Sequence, residues 1–384
     1  MPFENYTRLG GLHSETAAVG NILANAGVVA PHSGEPFSEA FLLGLGGGIS
    51  AGYFAFQYGE ISTLYIGSRG LWHQWDGSFI ERMVTRLGGE VVVEETAGML
   101  KAAKNLLDSV SAGVPVCTWV DSGLLPYWGG IPGSYGPHVV VVCGHDADHQ
   151  TYELDDLAPS PWVVGVEQLG RARAQIRSLK NRMLTIQVPA TVADLKPGIL
   201  QGIRDCIEDM HNPRMKNFGI TAIEKWSDLI TNTKDKKGWP NVFPPGSNLY
   251  QALLYTHHWI EHAGTGGDAF RTMYGDFLAE AAPILGNQAL AGLSKAYHAL
   301  GKQWRDLADM ALPDQAKPLA EAKALSRRKS HYLQRGGAAA AEEIERITQR
   351  LRQLEDDIQS GFPLSGQEIQ GLLEQMKKQI LAIY

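Results

Sequence analysis

Residues 14–24, Ser-Glu-Thr-Ala-Ala-Val-Gly-Asn-Ile-Leu-Ala, are apolar on most sides of a helical repeat, which predicts a helix through a domain interior with Ser14 at its N-terminus. Residues 37–43 read as a short helix entering the glycine-rich turn 44–48, since consecutive glycines admit positive φ and close backbone approach. The aromatic and β-branched stretch 53–65 is expected to be extended, and Phe79, Met83 and Leu87 mark one helix face. Strand 90–94, an amphipathic helix 96–111 and strand 114–120 follow, with Pro115 suited to an edge or a strand start. Residues 139–142 are four valines, the signature of a central strand covered on both faces, and His138 opens that strand. A turn over 144–150 returns the chain into 151–154. The hairpin partner therefore ends in Asp155-Asp156 at the end of the sheet where His138 begins. A helix over 166–179 and a last strand over 183–188 complete this region.

Beyond residue 188 strand signals nearly vanish. Helices are expected over 197–210, 220–231, 248–262, 268–282 and 287–307, and from residue 317 onwards. Phe270, Tyr274, Phe277, Leu278 and Ala281 form one apolar stripe at helical spacing, which reads as core packing rather than a cofactor box. Ile344, Ile347, Leu351, Leu354 and Ile358 alternate spacings of three and four. That suits a long helix packed on 369–380 as an antiparallel hairpin, either within the chain or against a second copy in a homodimer. The pattern as a whole predicts the α+β class: an antiparallel-sheet domain over 1–188 and an all-helical domain over 189–384.

Composition narrows the function classes. The chain has 384 residues, 44% hydrophobic and 20% charged, enough for two domains with cores of their own. A net charge of -7 gives no electrostatic reason to expect nucleic acid or an anionic membrane as partner. No basic segment followed by an apolar one opens the sequence and no apolar run is long enough to span a bilayer, so a cytoplasmic protein is expected. Cys117, Cys143 and Cys206 lack Cys-x-x-Cys spacing and read as buried reduced thiols.

The chemistry-bearing residues are one hydroxyl, one imidazole and one carboxylate. Ser14 sits where unpaired N–H groups and the helix dipole favour developing negative charge, although serine is also among the commonest N-caps. His138 begins a rigid strand, and Asp155, with Asp156 as alternative, closes its hairpin partner. Nucleophile, base and orienter in that chain order, the first on a core helix and the others on the sheet, form the arrangement of papain-like folds. Tyr127, Trp128 and Tyr135 could wall a cleft. Competing patterns are weaker. Gly44-x-Gly46 lacks the third glycine of a dinucleotide loop. No Gly-x-Ser-x-Gly elbow occurs. Asp146 and Asp148 lack the rest of a calcium loop and read as a solvated turn. His258-Trp-Ile-Glu261-His262 matches the H-x-x-E-H spacing of inverted zinc peptidases, but glycines end that helix at once; no metal is expected. Arg327-Arg328-Lys329 reads as a solvated face or as a contact for an acidic partner.

Several stretches taken together resemble a known family. His13-Ser14-Glu-Thr-Ala, Ser38-Glu39-Ala, Gly44-Leu-Gly-Gly-Gly, Val120-Asp121 with Leu125-Pro-Tyr127, and His138-Val-Val-Val-Val look like the N-terminal domain of the butirosin biosynthesis protein H family. Glu261-His-Ala-Gly-Thr-Gly-Gly267, Phe270-Arg-Thr-Met-Tyr274 and Phe277-Leu-Ala-Glu-Ala281 look like the helical domain that commonly follows it. The resemblance implies a papain-like (cysteine-peptidase-like) acyltransferase that moves an acyl group from an acyl carrier protein thioester to a small-molecule amine. It implies no cofactor beyond the carrier's phosphopantetheine. By position Ser14 takes the nucleophile place, His138 the base and Asp155 the orienter. Two departures stand out. The family pattern has cysteine where this chain has Ser14, so a nucleophile-substituted or inactive member and a non-catalytic carrier-binding module stand beside the transferase, as does a papain-like hydrolase. The glutamine that papain-like enzymes often place before the nucleophile is also missing; Asn5 and Arg8 are the nearby oxyanion candidates.

Overall fold

The computed structural model describes residues 6–58, 61–69, 79–130 and 137–384. In chain order its elements begin with α1 (Ser14–Asn25), α2 (Glu39–Gly46), the strands β1 (Gly52–Tyr58) and β2 (Ile61–Gly67), α3 (Phe79–Arg86), β3 (Glu90–Glu94) and α4 (Met99–Ser111). They continue with β4 (Val116–Asp121), β5 (Pro137–Asp146), β6 (Thr151–Asp155), β7 (Trp162–Gly165), α5 (Val166–Gln175) and β8 (Met183–Gln187). Only helices follow: α6 (Leu195–His211), α7 (Gly219–Leu229), α8 (Trp239–Val242), α9 (Ser247–Glu261), α10 (Arg271–Leu285), α11 (Ala289–Ala311), α12 (Lys317–Arg335), α13 (Ala341–Ser360) and α14 (Gly366–Ala382).

The chain is of the α+β class, and every strand pairing is antiparallel. Two compact units are built from interleaved segments. One takes Met1–Leu42, Gly77–Gly198 and Lys329–Thr348, the other Leu43–Asp76, Ile199–Arg328 and Gln349–Tyr384. A periodic pattern reports an element and its buried face, not the partner that covers it, so the sequence alone suggested one cut at residue 188.

The first unit holds a six-stranded sheet in the order β3-β8-β4-β5-β6-β7. The four valines of β5 are all buried, and because side chains alternate across a strand, both faces must be covered. Helices α1 and α4 pack on this strand. Val140, Val142, Ala17, Leu106, Leu154 and Trp162 belong to one continuous core. β8, last in sequence, inserts between β3 and β4. β4 starts directly after Pro115, so the missing N–H falls outside the ladder. β5 outruns its expected end: the register shifts between Val142 and Gly144, and the strand continues to Asp146 through this bulge. β7, flanked by Pro161 and only four residues long, carries too short a pattern to announce itself.

In the second unit β1 and β2 form a hairpin of their own, covered by α7 and α9. Trp239 Nε1 donates to the Tyr53 hydroxyl (2.9 Å) and Trp259 Nε1 to the Leu64 carbonyl (3.1 Å), fixing the hairpin to the helices. Gly44 serves packing rather than nucleotide binding: a Cβ there would lie 2.1 Å from the Phe277 ring. α14 packs on α7 and α11, not chiefly on α13 as the heptad-like spacing had suggested. Among the described residues no helix is long and apolar enough to cross a membrane.

Candidate active site

The start of α1 is a built structure. His13, not Ser14, is the N-cap: its Nδ1 accepts the Thr16 N–H at 3.5 Å, and its ring meets Phe79 edge-on. Ser14 is thereby the first helical residue, half-buried, with its hydroxyl released from the capping role that serine commonly fills. Glu39 of α2 ties down the approach. Its carboxylate accepts from Leu12 N (2.7 Å), His13 N (3.0 Å) and Thr16 Oγ1 (2.7 Å). Burial raises this carboxyl above its usual range, and the three donors partly offset that.

At the start of β5, His138 Nε2 lies 2.7 Å from Asp156 Oδ1. A carboxylate can only accept, so Nε2 carries the hydrogen and Nδ1 is left as the nitrogen able to take a proton. Asp156 is held in turn. Its Oδ2 accepts from the Tyr127 hydroxyl (2.7 Å) and from Trp128 Nε1 (3.2 Å), and its carbonyl accepts from Trp162 Nε1 (3.0 Å). Tyr127 stacks on Trp162 with ring centroids 4.2 Å apart, and the Trp128 ring packs against the imidazole at 4.8 Å. Burial, with Asp156 nearby, raises the Tyr127 hydroxyl far above its ordinary value, so it remains a donor. The structure thus makes Tyr127 a buried support of Asp156 rather than a cleft wall.

Of the two adjacent aspartates, it is Asp156, the alternative to Asp155, that meets His138. Opposite Val141 in the ladder, Asp155 projects to a different set of groups: Tyr6 Oη at 2.8 Å and Asn21 Nδ2 at 3.5 Å. Successive side chains of an extended chain point to opposite sides, which is why two adjacent aspartates part company. Burial pushes the Asp155 carboxyl up to about 7. Arg8 is likewise committed elsewhere, to Glu153 (3.0 Å) and the Cys143 sulfur (3.2 Å). Asn5 and Tyr135 lie outside the described residues. The segment leading to Ser14 is tied down just past β6: Gly11 N donates to the carbonyl of Leu157 (2.8 Å), the residue after Asp156.

Comparison with known sequences bears on this arrangement. The family described as Butirosin biosynthesis protein H, N-terminal matches residues 13–157, a span that opens at the His13 cap and closes one residue after Asp156. A domain of unknown function, DUF4872, matches residues 167–359. The chain thus carries a butirosin biosynthesis protein H N-terminal domain followed by a DUF4872 domain. Among curated proteins it finds no match. The polar residues that the pattern left unnoticed are Tyr6, Asn21, Glu39 and Trp162. Asn21 had a signal, an amide within an otherwise apolar helix. Glu39 stood inside the Ser-Glu-Ala stretch that carried the resemblance, with nothing local to assign it a partner.

The H-x-x-E-H stretch lies at the end of α9, within the DUF4872 match. Among the described residues no group of three His, Cys, Asp or Glu side chains is placed to hold a metal ion. In the basic run of α12, Arg327 and Arg328 are exposed, Arg327 pairing with Asp309, whereas Lys329 is buried. Asp146 caps the β5–β6 turn, accepting from the backbone N–H groups of Asp148 (3.0 Å) and His149 (3.1 Å).

Proposed function

We propose that this chain transfers an acyl group from an acyl carrier protein thioester to a small-molecule amine, in a papain-like site built by Ser14, His138 and Asp156. The reading rests on one observation above all: the His138–Asp156 pair, caged by Tyr127 and Trp128, leaves Nδ1 as the proton acceptor. The match to a domain named for butirosin biosynthesis, a branch of antibiotic secondary metabolism, supports a role of this kind.

In this scheme Ser14 Oγ attacks the thioester carbonyl carbon as its proton passes to His138 Nδ1. The C–S bond then breaks, and the carrier's phosphopantetheine sulfur leaves with that proton. The amine next attacks the Ser14 ester. An amide forms, Oγ is released, and the proton lost by the amine returns to Oγ through His138. The backbone N–H of Ser14 faces the developing oxyanion at the dipole's positive end. Asp156 compensates the imidazolium that forms in each half. The acyl group arrives on the carrier, and the scheme draws on no resident cofactor.

A serine ester lies lower in energy than a thioester, so residue 14 as serine makes the second half slower than cysteine would. That substitution is the specific feature favouring a second reading, a module that binds acylated carrier without turning it over. Intact-protein mass after incubation with acyl carrier separates them. The transferase reading expects an acyl adduct on residue 14 that accumulates in the parent, forms faster in Ser14→Cys and is absent in Ser14→Ala. An adduct on Cys117 or Cys143 would overturn it; both thiols are buried and held protonated, Cys143 up to about 12. Carrier binding with no adduct in either the parent or Ser14→Cys would favour the module.

A further inference from the structure

Segment 6–12 reaches Ser14 without secondary structure of its own, and hydrogen bonds hold it against α1 and the sheet end. Leu9 N donates to Asn21 Oδ1 (2.7 Å), and Asn21 Nδ2 donates to the Gly10 carbonyl (3.4 Å). Asn25 accepts from Thr7 N and donates to the Thr7 carbonyl, both at 2.7 Å. Asn21 is buried in the middle of a helix otherwise packed with Ala, Val, Ile and Leu. There it is tolerated because its amide is matched on both sides. The point on the sheet that receives this assembly is Asp155, which takes Tyr6 from one end of the segment and Asn21 from α1.

We propose that Asp155 is a positioning residue for the nucleophile: it clamps segment 6–12 and α1 to the end of β6, while its neighbour Asp156 positions the imidazole. Two adjacent carboxylates would then set the two halves of one reacting pair, each from its own side of the strand. The inference rests on the reading of Ser14 and His138 given above, and deepens it by adding a control on their separation.

The clamp has a built-in pH dependence. Facing Asp155 are Tyr6 and Arg8 from the segment, Cys117 of β4, Cys143 of β5, Tyr127, and Asp156 beside it. Arg8 is the single cation among these, and it is engaged by Glu153. Tyr6 and Asn21 both donate, so the ionised carboxylate is the stronger partner, and protonation loosens the hold. Because burial raises Asp155 to about 7, that loosening falls near neutrality.

The test uses the full chain carrying Ser14→Cys and needs no acyl substrate: the rate of iodoacetamide alkylation at residue 14, mapped by mass, is followed against pH. The expected result is a fall of about tenfold for Asp155→Ala near neutral pH, the same loss for Asn21→Ala, and a smaller one of about threefold for Asp155→Asn. Asp155→Asn keeps the shape and an acceptor but should lose the inflection near pH 7. An unchanged rate and pH profile in folded Asp155→Ala would overturn the proposal. If that variant does not fold, Asp155→Asn and Tyr6→Phe decide: retention of the inflection in the first, with full reactivity in the second, overturns it. His138→Ala separates the two levels. Alkylation indifferent to His138 removes the nucleophile–base reading itself, whereas dependence on His138 without dependence on Asp155 removes only the clamp.

Discussion

Two histidine-bearing regions of this chain meet burial in opposite ways. At the start of β5, His138 gives Nε2 to Asp156, Asp156 takes two further donors, and the imidazole side chain remains 12% exposed. At the end of α9, Nε2 of His257, Nε2 of His262 and Oε1 of Glu261 are buried with no hydrogen-bond partner among the described residues. His257 gives Nδ1 to the Ala308 carbonyl (3.1 Å) and is fully buried. Burial holds His257 down to about 4, drives His262 well below its ordinary value and lifts Glu261 to about 7. The α9 stretch has the more conspicuous spacing, yet of the two it is the β5 histidine that pairs with a carboxylate while staying partly exposed. Spacing nominates residues; the partner of each polar atom decides whether they can act.

The largest expected effect that would break this contrast lies in the His138 pair. In Ser14→Cys protein, His138→Ala should lower alkylation at residue 14 by about a hundredfold or more, while His257→Leu should leave it unchanged. A loss in His257→Leu comparable to that in His138→Ala would place the chemistry at α9. Next, Asp156→Ala should cost roughly tenfold to a hundredfold and Tyr127→Phe about threefold, because the phenol acts only by holding Asp156. Equal losses in both variants would show that Tyr127 does more than support.

Smaller effects concern pH and stability. His257 has a folded pKa below its unfolded one, so its contribution is present above about pH 6.5 and is lost as pH falls through about 4. Glu261 has the opposite sign. Its folded pKa lies above the unfolded one, and its contribution is fully present below about pH 4.5 and lost as pH rises through about 7. Denaturant unfolding should therefore show Glu261→Gln gaining about 1 kcal/mol over the parent near pH 8, with the gain gone near pH 5. A gain independent of pH would mean that shape rather than charge is responsible. His257→Leu should resist acid better than the parent by a similar amount, since the buried imidazole no longer has to take up a proton.

The elements of the first unit were largely legible because burial imposes a period on the chain. Helix α1, β3, the valines of β5 and the turn into β6 each show it within a few residues. β7 escaped because four residues carry too little pattern, and the end of β5 was placed early because Gly144 looks the same in a turn and in a bulge. In the site, Ser14 and His138 were visible as polar residues at the mouths of apolar elements. The division of labour between Asp155 and Asp156 was not, since a one-residue difference at a strand end depends on which side chain faces His138. Tyr6 and Glu39 reach their partners across 149 and 26 residues, and no local signal records such a pairing.

By itself the sequence determined the α+β class, the helix that opens at Ser14, the buried strand headed by His138 and the family to which these motifs point. The first three follow from short-range periodicity and from residue types that fit few other local settings, and the family from resemblance of the motifs. Tertiary structure alone decided that β1 and β2 join the second unit, that β8 inserts beside β4, that His13 takes the cap, and that Asp156 meets the His138 imidazole while Asp155 meets Tyr6 and Asn21. The reason is physical. Hydrogen-bond partners and covering surfaces are set by where distant segments meet in space, and a linear pattern carries the demand for a partner without its address.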